Sequence, residues 1–173
     1  MFTPQFFLPT YAVSIGVDPA LASYLLAILN AASTFGRIIP GIFADRYGRL
    51  NVFALAGLAT GVINLCMTEV KTTAGLVVYA IALGFSSGTI ISGASTALSL
   101  CPKDPRDIGT YLGMGIAVSS VAALVGPPIN GAFIDTYGGF LQVSIFSGVT
   151  LLVGGCCVVA CKAGTTEGVF GKV

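Results

Sequence analysis

Arg37 offers the most specific chemistry in this 173-residue chain. It lies within an apolar run, eight positions before Asp45, which places it about 12 Å deeper along a helix rising 1.5 Å per residue. A guanidinium at that depth in hydrocarbon is costly unless it faces a polar cavity or a partner, so it is a candidate functional group by default. Asn30, Ser33 and Thr34 precede it on the same run, and Arg37, Asn30 and Ser33 form the candidate substrate-binding set. Two plainer roles compete: snorkelling to the interface along the aliphatic stem, or pairing with an acid elsewhere in a larger assembly. At the end of the run stands a second group, Gly41, Asp45, Arg46, Gly48 and Arg49. Its glycines permit close backbone approach and a tight turn. Asp45 can accept from the free amides that begin a neighbouring helix, and the arginines can pair with Asp45 or stay at phosphate level. Such a latch can form in one conformation and break in another, a gating role; the plainer alternative is an anchoring turn.

The elements that carry these residues are repeated. Gly41-Ile-Phe43-Ala-Asp45-Arg-Tyr47-Gly48 recurs ninety positions later as Gly131-Ala-Phe133-Ile-Asp135-Thr-Tyr137-Gly138, both G-x-F-x-D-x-Y-G. Each copy ends an apolar segment. Hydrophobic residues make up 55% of the chain and charged residues only 9%, with a mean hydropathy of +0.93, whereas a soluble domain carries roughly 25% charged residues. The apolar stretches reach the ~20 residues a membrane helix needs, and the every-second-residue polarity of a membrane barrel is missing. The chain is therefore expected to be an all-α membrane protein.

Six apolar segments follow in order: Phe2–Ile15, Ala20–Phe43, Val52–Met67, Leu76–Leu98, Ile108–Phe133 and Phe140–Cys161. The first is short and carries Pro4 and Pro9; the second opens on Asp18-Pro19, a capping aspartate followed by a first-turn proline. This gives five full spans and a partial first one, with the chain expected to be truncated upstream. Seven of the eight lysines and arginines fall on one side, with Lys71 on the other. The positive-inside rule makes the first side cytoplasmic, and the C-terminus with it. The two motif copies then end on opposite faces of the membrane, three spans apart, as in an inverted repeat of three plus three helices. The expected organisation is one membrane domain over 1–173, with repeat one at 1–70, repeat two at 73–162 and a cytoplasmic tail at 163–173. Gly126-Pro127-Pro128 interrupts the amide ladder of the fifth segment and is expected to bend it.

Gly41-x-x-x-Asp45-Arg46-x-Gly48-Arg49 resembles the signature loop of the major facilitator superfamily, found between the second and third helices of each half. Leu25–Arg37 and Leu124–Ile129 resemble fungal members of its monocarboxylate-transporter-like branch. The resemblance covers essentially the whole chain, which matches a C-terminal six-helix half. It implies an arginine at the position of Arg37 that pairs with a carboxylate substrate. Members of that branch often carry an aspartate one turn earlier, tied to proton coupling; here Ser33 occupies that place and cannot carry a proton. The glycine-proline run resembles an antiporter motif that belongs to the other half, so antiport is not inferred from it.

The function these readings point to is secondary active transport of a small organic solute, a monocarboxylate or other organic anion, by alternating access. Alternatives are a carrier of secondary metabolites or vitamins, and a non-transporting membrane fragment acting as scaffold or regulator. The expected partners are the solute, the lipid bilayer and a missing N-terminal six-helix half or a full carrier. The expected location is integral and multi-pass, in a plasma, vacuolar or other endomembrane. No nucleophile–base pair or cofactor motif points to an enzyme, and no basic tract points to nucleic acid. The chain has no histidine and no Cys-x-x-Cys, so no metal or cofactor is expected. The serines of the fourth and fifth segments (Ser86, Ser87, Ser92, Ser95, Ser119, Ser120) read as packing residues, as do the five cysteines.

Overall fold

The computed structural model describes residues 2–99, 102 and 104–164. Helices α1 (Phe2–Ser14), α2 (Pro19–Tyr47), α3 (Arg49–Leu65), α4 (Thr73–Ser99), α5 (Ile108–Tyr137) and α6 (Leu141–Ala163) follow in order, with short 3-10 turns at Cys66–Glu69 and Pro105–Asp107. Five are long and apolar enough to cross a membrane, all but α1. At the start of α2 the Asp18 carboxylate accepts from the Ala20 amide at 2.9 Å, with Pro19 in the first turn, as the sequence leads one to expect.

Small residues decide which helices touch, because apolar side chains gain little by leaving lipid for one another. On α4, Gly84 and Gly88 stand one turn apart, and a Cβ on either would strike the backbone of α2, at Leu29 and Ser33. Gly36 on α2 meets the Phe85 backbone in the same way. Both contacts advance in the same sense along each helix, so α2 and α4 run parallel. On α3, Gly57 and Gly61 face Gly155 and Gly148 of α6, an antiparallel pairing. Phe53 beside Gly93 and Tyr79 beside Asn64 make α3 and α4 antiparallel as well. The helices thus alternate in direction, and the ends of α2 and α5 point to opposite faces. The ninety-residue repeat is an inverted one.

An apolar core built on Leu8, Leu25, Leu29, Met67, Leu76 and Leu83 fills the space between α1, α2 and α4 at the Glu69 end of the bundle. Against this, α5 is laid along the outside: Asn130 is the residue buried on it. Pro127 and Pro128 do not end α5, which runs on to Tyr137; nor does Pro40 end α2. Prolines cannot donate to the carbonyls four residues back, and beyond the pair the Asn130 side-chain amide donates to the Gly126 carbonyl at 2.9 Å.

Among the described residues, five of six lysines and arginines lie toward the end formed by the α2–α3 turn, the start of α5 and the close of α6; Lys71 lies at the other. Lys103 and Lys172 fall outside the described residues, as does nearly all of the expected tail.

Candidate functional site

Arg37 stands on a free face of α2. It is exposed, as are Asn30 and Thr34, and the three share one side of the helix, at intervals of four and three residues. Among the described residues no hydrogen bond or ion pair engages the guanidinium. Asn30 donates to the Leu26 carbonyl at 2.9 Å and Thr34 to the Asn30 carbonyl at 3.3 Å, so both leave acceptor oxygens on that face. Ser33 is placed differently. It is buried on the stripe that packs on α4, where its backbone meets Gly88.

The α2–α3 turn is a single residue. Gly48 closes α2 and opens α3 at φ 94°, ψ 132°, a conformation that side-chain-bearing residues avoid. Its amide donates to the Ala44 carbonyl at 3.0 Å. Asp45 pairs with Arg49 across the turn at 3.4 Å, the aspartate largely in the open and the arginine partly so; Asp45 does not cap α3, whose start carries no side-chain cap. Gly41 departs from expectation. A Cβ there would meet nothing within 4 Å, and the same holds at Gly131. The close approaches fall at Gly36, Gly84 and Gly88, because the helices diverge beyond Gly36.

That divergence opens two cavities between α2, α3 and α4. One, of about 300 Å³, is lined by Asp45, Arg49, Ser92, Thr96 and Ser99 among others. The second, of about 460 Å³, is walled by Ile39, Phe43, Tyr47, Leu55 and Phe85. Pro40, Val52 and Thr89 line both.

Behind the turn sits a pairing that sequence reasoning missed. Lys162 at the close of α6 is buried and donates to Asn51 Oδ1, while Asn51 Nδ2 donates to the Tyr47 carbonyl at 2.8 Å. One asparagine thereby ties α6 to the turn and satisfies a carbonyl at the end of α2. The signal available was slight: a lone amide two residues after Arg49.

The second motif copy makes a different turn. Gly138 is left-handed at φ 64°, ψ 20°, and its amide donates to the Ile134 carbonyl at 2.8 Å. Asp135 is exposed and joins no ion pair among the described residues. The aromatic partners of the motif are retained: Phe43 and Tyr47 lie 6.2 Å apart, Phe133 and Tyr137 6.3 Å.

At the opposite end, Asn64 is a buried hub. Its Nδ2 donates to the Thr60 carbonyl at 3.0 Å, its Oδ1 accepts from the Tyr79 hydroxyl at 3.4 Å, and its carbonyl accepts from Ser144 on α6. Nearby, Tyr11 donates to the Val70 carbonyl at 3.1 Å. An asparagine inside an apolar segment was a legible signal; its partners were not.

Ser86, Ser87 and Thr89 are buried on α4, in keeping with packing, whereas Ser95, Ser119 and Ser120 are exposed and donate to carbonyls of their own helices. Cys66, Cys156, Cys157 and Cys161 are exposed, contrary to the expectation that they pack inside; thiols are apolar enough to face lipid. Cys101 lies outside the described residues. Among the described residues no three His, Cys, Asp or Glu side chains gather as a metal would require.

A family model described as Major Facilitator Superfamily matches residues 1–167. The chain is 48% identical over 155 residues to the aspyridones efflux protein of Emericella nidulans, covering 90% of this chain and 32% of that protein. It is 42% identical to an MFS-type transporter of Aspergillus fumigatus, covering 89% and 35%. To the agnestins efflux protein of Paecilomyces divaricatus it is 35% identical over 174 residues, covering 99% and 39%. The chain spans about a third of the length of these relatives.

Proposed function

The chain belongs to the Major Facilitator Superfamily, a family of membrane transporters and not of enzymes, and from that premise we propose that it is the C-terminal half of a carrier exporting an anionic organic solute. The partner would be an N-terminal six-helix half, with repeats at 1–70 and 73–162 and the solute bound near midplane between the halves. The positive-inside rule supports a cytoplasmic location for the α2–α3 turn and the C-terminus, in a plasma or endomembrane.

One observation carries the solute class: Arg37 presents a guanidinium on a free face of α2, about 12 Å inward from Asp45. A charge at that depth needs a counter-charge, and a carboxylate or enolate of the solute would supply it. The names of two relatives, which export aspyridones and agnestins, favour a secondary metabolite over a simple monocarboxylate and favour outward transport. The Asp45–Arg49 pair, long and open to solvent, suits a latch that changes partners as the halves rock, since exposed ion pairs hold by ~1 kcal/mol or less.

The test is made in the full carrier that contains this chain. Arg37→Ala is expected to lower export of an anionic solute roughly tenfold to a hundredfold, the loss of a charged hydrogen bond of ~1.5–3 kcal/mol, with membrane abundance unchanged. Unaltered export kinetics would remove Arg37 as the anion anchor. A second reading, a fragment that regulates a full carrier, would be favoured by finding the chain expressed with no N-terminal half attached.

A further inference from the structure

We infer that the close of α6 is an S-acylation site, where Cys161 and Cys157 each take a long fatty acyl chain in thioester linkage. Both thiols are exposed. Four residues apart, they stand on one face of the helix, about 6 Å from each other along its axis. That face points out of the bundle. Gly148 and Gly155 turn α6 toward α3, and Cys157, two residues past Gly155, lies roughly 160° around the helix from it. α6 leans chiefly on α3, whereas α2, which carries Arg37, leans chiefly on α4, so the outward face of α6 is left to lipid. Its depth is set by Lys162, which donates to Asn51, two residues after Arg49. The last turn of α6 is thereby held near the level of the charged α2–α3 turn, where a span leaves the hydrocarbon. Cysteines at the edge of a span are acceptors for S-acyl chains.

The surface beside the two thiols has room for such a chain. Large apolar side chains are exposed along α6 at Ile145, Phe146, Val149 and Val153. Past Val153 the exposed positions among the described residues are Gly154, Cys156, Cys157, Ala160, Cys161 and Gly164. A Cβ on Gly154 would meet nothing within 4 Å. The lipid-facing side is thus bulky along most of its length and thin over the last turns, and an acyl chain on Cys161 runs inward over the thinned part. The step is an acyl transfer with no change of oxidation state. The cysteine thiol gives up its proton, since the thiolate is the nucleophile. Its sulfur attacks the carbonyl carbon of a long-chain acyl-coenzyme A thioester, the carbon–sulfur bond to coenzyme A breaks, and coenzyme A leaves as the thiol with that proton. The acyl donor is cytosolic, so this inference rests on the reading that places the C-terminus in the cytoplasm. It rests neither on Arg37 nor on the identity of the solute. Cys66 is exposed as well but stands at the Glu69 end, on the other side of the membrane.

The full carrier that contains this chain would be expressed in a fungal host with a C-terminal epitope. Its thiols are blocked, its thioesters are cleaved with neutral hydroxylamine, and the thiols so released are counted by the gel shift of a maleimide polymer. Cys161→Ser and Cys157→Ser keep the size and a hydrogen-bond donor at exposed positions. Each is expected to lose one tag relative to the unmodified carrier, and the double variant two, with membrane abundance unchanged. Cys66→Ser is expected to lose none. A double variant that keeps every tag would overturn the proposal, and so would a tag lost with Cys66→Ser. The side of the C-terminus is read in parallel by antibody access to the epitope in intact and permeabilised spheroplasts. A cytoplasmic epitope with no tag lost overturns the acylation alone. An epitope reached from outside overturns the topology, and the acylation with it.

Discussion

The two copies of G-x-F-x-D-x-Y-G begin from one pattern and end as different devices. At the first, Gly48 at φ 94° joins two helices directly, Asp45 holds Arg49, and Asn51 ties the turn to the buried Lys162. At the second, Gly138 is an ordinary left-handed helix cap, and the places ninety residues after Arg46, Arg49 and Asn51 are Thr136, Gly139 and Leu141. The aromatic pair and the aspartate are common to both. What differs is every residue that could bind the turn to something else. One backbone motif therefore serves as a turn twice, and as a fastened, charge-bearing turn once.

Breaking the fastening should show the largest contrast. Asn51→Leu leaves a buried ammonium without its oxygen and is expected to cost about 2–3 kcal/mol, the worth of a hydrogen bond to a charged group. Leu141→Asn at the matching place should cost less than half of that, read by unfolding in mixed SDS micelles. Next in size is the backbone. Gly48→Ala is expected to destabilise by about 2 kcal/mol, since its φ and ψ lie in a region essentially reserved for glycine. Gly138→Ala should cost about 1 kcal/mol and Gly138→Asn less, because asparagine tolerates the left-handed helical region; the same titration ranks all three. Smallest is the surface pair. Asp45→Asn should change stability by no more than about 0.5 kcal/mol. Equal costs for Gly48→Ala and Gly138→Ala would mean that the two turns are mechanically alike after all.

The spans and their turns were legible because apolar length and charge clustering are local properties, and the repeat gave the alternation of direction. The glycines of the first motif copy were read as points of close approach and a tight turn, and Gly41 is not a close approach. Closeness is set by what lies opposite: Gly36, Gly84 and Gly88 have a backbone opposite them, and nothing stands within 4 Å of a Cβ at Gly41 or Gly131. Ser33 and Arg37 looked like one group along the chain, yet the stripe packed on α4 takes one and leaves the other free. Lys162 and Asn51 are 111 residues apart, and Ser144 and Asn64 are 80 apart. No spacing rule connects such pairs, so the two polar ties that fasten α6 were invisible before the helices were placed.

The Asn64 hub bears on how the chain is built. Asn64 and Thr60 each satisfy themselves on their own helix, through the Thr60 and Ala56 carbonyls, which lets α3 enter a bilayer before its neighbours exist. Tyr79 arrives with the next helix, but Ser144 is not synthesised until 80 residues after Asn64. The hub is therefore completed in stages during biosynthesis, and its last bond can form only when α6 has docked. A nascent chain released before α6 would lack the Ser144 bond and leave that seam open.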